Sequence, residues 1–246
     1  MITIYPVFLT EFRGRMSKSV FILKKKTVLI ILVITATVVV CDRTNSYIKL
    51  GTANLKMGDF KRARRYFNAV IDKQPSNYTA RLGLGKALLQ EISVHSEDSI
   101  LILDCLTQLN AARSLRPDKE VEELLSVVWF KRATALLGFH DTLAAMSALS
   151  RSISFDSKAG KPVNLAGIIY FHRGDKEKAM NLFRLVTTID SSSPHGFFNI
   201  GMLYWAERNY TLAYEFWYKA AKRAPEDREV LKWTAMAKKK ISAVSP

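Results

Sequence analysis

Two cysteines, Cys41 and Cys105, are all that this 246-residue sequence contains. They are too few for a disulfide framework and too far apart for a zinc site built on CxxC pairs. Histidine is nearly as scarce. His95, His140, His172 and His195 are scattered, no carboxylate pattern accompanies them, and no HExxH helix occurs. Phosphate-binding loops are missing as well: Gly83-Leu84-Gly85-Lys86 lacks the upstream glycine spacing and the Ser or Thr that must follow the lysine. There is no nucleophile elbow. With these parts absent, neither catalysis nor a cofactor is expected. Acidic residues are also under-represented, 22 against 37 lysines and arginines, which leaves a net charge of +15. Charge of that sign suits nucleic acid, anionic lipid or acidic protein partners and does not choose among them.

No apolar run reaches the 17–25 residues or so that a membrane-spanning helix uses. Thr27 to Val40 is a 14-residue run with no charge and no proline, and it follows Lys24-Lys25-Lys26. Within residues 1–41, Glu11 stands against Arg13, Arg15, Lys18 and those three lysines, so this segment is strongly basic. A basic stretch followed by a short apolar core describes a secretory signal, and Met16 is a candidate start, since residues 16–41 alone make a signal of ordinary length. Cys41 directly after the apolar core resembles the lipobox of bacterial lipoproteins, which implies lipidation at Cys41. Val40 stands where that pattern has a small residue, so an uncleaved signal anchor is the alternative. Either way residues 1–41 are expected to hold residues 42–246 at a membrane of the bacterial cell envelope. The lysines would stay cytoplasmic and the body would lie across the membrane. A translocated body would rarely meet nucleic acid, so none is expected as a partner.

Glycine, alanine and bulky residues recur through that body with a period of 34. Residues 44–77 supply Tyr47, Leu50, Gly51, Ala63, Phe67, Val70 and Pro75, with Gly58-Asp59-Phe60 between two helical stretches. Residues 160–193 supply Val163, Ala166, Gly167, Tyr170, Ala179, Phe183 and Val186, with Gly174-Asp175 at the same place. Residues 194–227 supply Phe197, Ile200, Gly201, Tyr204, Ala213, Trp217, Ala220 and Pro225. Residues 126–159 are a weaker copy through Trp129, Ala133, Leu136, Ala145 and Leu149, with Arg132 where an apolar residue is expected and Ser157 in place of proline. Residues 78–119 start with Leu84, Gly85 and Leu88 and end with Leu109, Ala112 and Pro117. They carry eight extra residues, expected between the two helices around Glu91 to Ser99. Glu120 to Leu125 separate that copy from the next and are expected to lengthen its first helix.

The pattern is similar to the tetratricopeptide repeat (TPR), a 34-residue helix-turn-helix unit. The resemblance implies an all-α solenoid of about five repeats, in which small residues let paired helices approach and neighbouring repeats bury one another's apolar faces. Residues 228–243 read as a capping helix, with Val230, Leu231, Trp233 and Met236 inward and Lys238-Lys239-Lys240 outward. Cys105 takes a packed small position and is expected to be structural.

In this family the first helices line a concave groove that binds peptides or proteins. Carried over position by position, the groove includes Phe130, Lys161, Asn164, Ile168, Phe171, His172, His195, Phe198, Met202 and Trp205. Its aromatic C-terminal half (Phe130, Phe171, His172, Phe198, Met202 and Trp205) is the expected partner site, since aromatic and Met side chains are favoured at interfaces. Lys61-Arg62-Ala63-Arg64-Arg65 is the densest basic run, and Lys61, Arg62, Arg64 and Arg65 are the candidate surface for anionic lipid. The leading expectation is a membrane-tethered scaffold for an envelope complex. A peripheral membrane-surface protein and an accessory subunit of an enzyme complex are the alternatives.

Overall fold

A computed structural model describes residues 43–94 and 99–244 of the chain. Among the described residues there are eleven helices and no strand: α1 (43–56), α2 (Phe60–Ile71), α3 (Tyr78–Val94), α4 (Ser99–Leu115), α5 (Lys119–Gly138), α6 (Thr142–Phe155), α7 (Gly160–His172), α8 (Lys176–Ile189), α9 (His195–Ala206), α10 (Tyr210–Arg223) and α11 (Arg228–Val244). From α2 onward each helix packs on the next in chain order. That is the nearest-neighbour stacking of a repeat solenoid.

One local device makes four of the hairpins. The second helix of each pair starts at Asp59, Asp141, Asp175 or Asn209, whose side chain accepts a hydrogen bond from the backbone N–H three residues on. Such a cap contributes about 1 kcal/mol. The residue before it must take positive φ to reverse the chain, and Gly58 (78°) and Gly174 (83°) do so without a steric penalty. His140 (60°) and Arg208 (57°) hold the same conformation as non-glycine residues, at a cost of about 1–2 kcal/mol each.

Close approach within a hairpin comes from a glycine on its first helix facing a large side chain on its second. A Cβ on Gly51 would lie 2.8 Å from the Phe67 ring, on Gly85 2.5 Å from Leu109, on Gly167 2.6 Å from Phe183 and on Gly201 2.5 Å from Trp217. Phe67, Phe183 and Trp217 are in turn among the largest fully buried side chains. Cys105 shares this packing. Its buried thiol donates to the Gly85 carbonyl at 3.3 Å, and burial pushes its pKa up to about 12.

The second pair departs from the others. α3 and α4 are 17 residues each, where α7 and α8 are 13 and 14. Most of the eight extra residues therefore continue the helices instead of forming a loop between them, and only residues 95–98 fall outside the described helices. A run without proline or glycine from Lys86 to Val94 gives α3 no reason to stop earlier. α5 extends to 20 residues, and its first turn ties it to the preceding pair through Lys86–Glu120 and Arg113–Glu122, both 2.6 Å. Tyr78 and Asp118, at the two ends of this segment, are also joined. The phenol donates to Asp118, which caps α5 and pairs with Arg116 at 3.0 Å, while the Arg116 guanidinium lies 3.7 Å from the Tyr78 ring centroid.

The apolar stripe of α11 differs from the one expected. Val230 and Ala237 are buried and Trp233 half-buried, whereas Leu231 and Met236 are exposed. No helix among the described residues is long and apolar enough to cross a membrane. Cys41 and the rest of residues 1–41 lie outside the described residues.

Candidate partner-binding groove

A broad concavity with a volume of about 750 Å³ lies where α5, α7, the end of α8 and the start of α9 meet. Its apolar surface comes from Phe130 on α5, Leu165 and Ile168 on α7, and Val186 and Ile189 on α8. Lys158, Lys161 and His195 bring positive charge or hydrogen-bond donors to it, against a single carboxylate, Asp190. Hydrogen bonds from Ser192 hold that carboxylate below the usual aspartate range, with further help from the Ser193 N–H and the nearby His195. Asn199 donates to Asn164 at 2.7 Å and joins α9 to α7 beside this surface. An apolar floor with a few polar groups around it is the usual make-up of a binding cleft.

Of the residues expected to form one aromatic surface, only Phe130 lines this groove. Phe171 is half-buried and packs with the cluster around Phe183, Ile200 and Leu203. His172 is exposed at the end of α7, its ring 5.6 Å from that of Phe171. Phe198, Met202 and Trp205 turn toward α10 and α11 instead. Trp205 has Trp217 at 5.6 Å, Trp233 at 5.7 Å and Tyr210 at 4.8 Å, and Phe198 has Trp217 at 6.1 Å. The Trp217 indole also donates to the Phe198 carbonyl at 2.9 Å. The physical reason is the capping helix: Trp233 brings α11 onto the last pair, so the aromatic positions there become a half-buried core.

The expected basic surface is likewise partly consumed by internal pairing. Arg64 pairs with Glu91 of α3 at 2.6 Å and is half-buried, and Arg62 pairs with Asp59 at 3.3 Å. Lys61 and Arg65 remain exposed. Groove residues that the repeat positions did not mark (Lys158, Leu165, Val186, Ile189, Asp190 and Ser193) come mainly from the junctions between helices, where no fixed repeat position points inward. Among the described residues no group of three or more His, Cys, Asp and Glu side chains is placed to hold a metal ion.

Hairpins of this size, stacked in order and closed by a polar helix, define a tetratricopeptide-repeat solenoid. Family models described as tetratricopeptide repeat match residues 48–91 and 194–227, near the two ends of the stack. Solved structures of the same fold include one described as MamA protein, with 21% identity, covering 76% of this chain and 95% of that one at a TM-score of 0.52. Another is YrrB, described as a TPR protein with an unusual peptide-binding site, at 19% identity, 78% and 90% coverage and a TM-score of 0.51. A tetratricopeptide repeat protein from Parabacteroides merdae has 14% identity, 82% and 74% coverage and a TM-score of 0.56. No curated protein matches the sequence.

Proposed function

We propose that this chain is a membrane-tethered scaffold that holds a peptide or partner protein in its concave groove, serving assembly of a complex in the bacterial envelope. The groove at α5, α7 and α9 carries the reading: about 750 Å³ of space with Phe130 and Ile168 on its floor accommodates apolar side chains. Lys158 and Lys161 beside them favour a peptide whose apolar anchor is flanked by a carboxylate. The partner is therefore expected to offer a short acidic segment around one or two large apolar residues. The tether rests on the lysine triplet, the 14-residue apolar core and Cys41. The membrane-surface alternative has less support, because Arg62 and Arg64 are already paired within the protein.

Crosslinking and purification from membranes tests the scaffold. Ile168→Glu should abolish recovery of a defined partner, while reversing the charges of Lys61 and Arg65 should leave it intact. The opposite pattern refutes the groove. Fatty-acid labelling of wild type against Cys41→Ala tests the anchor, and an unlabelled wild-type protein would eliminate lipidation.

A further inference from the structure

Arg132 departs from the repeat pattern, and the structure shows where its charge goes. Its guanidinium carbon lies 5.0 Å from the ring centroid of Trp129, and that of Arg151 lies 4.7 Å from the same ring. Two like charges are thus held over one indole. Neither guanidinium has a carboxylate within ion-pair distance or a hydrogen-bond acceptor among the described residues. The nearby elements explain this. α6 contains no acidic residue, and the glutamates of α5 lie in its first turns, where Glu120, Glu122 and Glu123 pair with Lys86, Arg113 and Lys119. Asp141 is occupied as the cap of α6, and Asp104 of α4 accepts from Gln108.

Between α5 and α6 these arginines border a cavity of about 270 Å³, shared with Ser147 and the apolar Ala144, Ala148 and Leu136. Ser147 adds a hydroxyl. The Trp129 indole N–H is a further donor that is buried without an acceptor. Two guanidiniums without a carboxylate partner and one hydroxyl therefore border one space, and a guanidinium's planar fork matches the geometry of a carboxylate or phosphate.

We propose that this cavity is an oxyanion-binding site, with Arg132 and Arg151 as its charged ligands and Ser147 as a neutral donor. It is separate from the peptide groove. The groove is lined by Phe130 and Thr134 of α5, whereas this site uses Trp129, Arg132 and Leu136 of the same helix. The anion is either a free phosphate-like ion or the carboxylate of an acidic side chain on a partner. Phe139 and Leu143, both largely exposed at the adjoining ends of α5 and α6, give a partner side chain apolar neighbours to rest on.

The test follows the Trp129 indole N–H signal in 1H–15N spectra, assigned by its loss in Trp129→Phe. The full chain is titrated at constant ionic strength with inorganic phosphate and, separately, with a blocked Ala-Glu-Ala tripeptide. A saturable shift is expected with at least one probe. Phosphate alone acting identifies a free anion, and the tripeptide acting identifies a carboxylate. Arg151→Gln should weaken either response about tenfold, and Arg132→Gln should do the same. Because Arg151 is exposed, its variant is expected to fold and carries the test even where Arg132→Gln does not. No saturable shift with either probe, or equal affinity in Arg151→Gln, would overturn the site.

Discussion

Gly201→Ala adds one methyl group where the structure has no room for it. The new Cβ would lie 2.5 Å from both Cδ1 and Nε1 of Trp217, against an ordinary carbon–carbon separation of about 3.5–4.0 Å. Relief requires a shift of about 1 Å, and Trp217 has nowhere to go. It is wholly buried, its Nε1–H is bonded to the Phe198 carbonyl, and Trp205 and Trp233 stand at 5.6 and 5.3 Å. Overpacking of this kind costs about 1–3 kcal/mol, and straining the indole hydrogen bond costs about 1 kcal/mol more. Better helix propensity of alanine returns about 1 kcal/mol. The net expectation is about 1–3 kcal/mol of destabilisation, a fall in Tm of several degrees in a chain of this size. Gly138→Ala is the internal control, because it lies in a helix with nothing within 4 Å of its added Cβ, and it should be neutral or slightly stabilising. Urea unfolding followed by tryptophan fluorescence and by circular dichroism reads both variants, with the fluorescence weighted toward the C-terminal pairs. An unchanged or higher midpoint for Gly201→Ala would refute the claim that glycine is there for close approach.

Three other outcomes are expected. His140→Gly and Arg208→Gly should each raise stability, by about 0.5–1 kcal/mol after the entropy cost of glycine in the unfolded chain; thermal melts check this. Tyr78→Phe should lower Tm at neutral pH. The hydrogen bond from Tyr78 is the largest influence holding the Asp118 carboxyl below its ordinary value, with its backbone bond and Arg116 adding to it. A depressed folded value stabilises above the unfolded pKa, about 3.9, and is lost as pH falls through the folded one. The difference between Tyr78→Phe and wild type should therefore shrink in melts as the pH is taken down through the acid range, and a constant difference would contradict it. Cys105, buried and with its thiol raised to about 12, should resist thiol reagents until the protein is unfolded, as a colorimetric thiol assay would show.

Local chemistry written into adjacent residues was legible in the sequence. Gly58-Asp59 and Gly174-Asp175 specify a turn and a cap within two residues, and Gly201 with Trp217 specifies a close packing within one hairpin. Contacts set by distant elements were not. Tyr78 and Asp118 are 40 residues apart, and nothing in either position's repeat role marks a hydrogen bond. Trp205 occupies a groove position by count, yet its surroundings are decided by Trp233, which belongs to the cap. The same count missed Val186, Ile189 and Asp190, since residues ending a second helix enter the groove only through how one pair sits on the next.

The departures of the third pair from the repeat pattern lie beside the two concavities described above. Where the pattern is kept, glycine against Phe183 or Trp217 leaves no space at all. The third pair breaks the pattern at Arg132 and at Ser157, and the packing loosens on both sides of α5. A long charged side chain at Arg132 cannot close against α6 as an apolar one would, and the result is the cavity beside Trp129. At the junction that follows, α7 starts from Ala159 without a side-chain cap, and α6 meets α7 less extensively than other described neighbours meet. The groove beside Phe130 and Lys158 opens there. Filling a core and keeping a site open are opposing demands on the same positions, so a repeat that violates its own rules without unfolding is where binding is to be sought. Arg132→Leu tests the trade directly. It removes a charge with no carboxylate partner and fills apolar space, at the loss of the contact with the Trp129 ring, so the variant should be at least as stable as wild type while losing the anion response. A destabilised Arg132→Leu protein would mean that the arginine is there for packing.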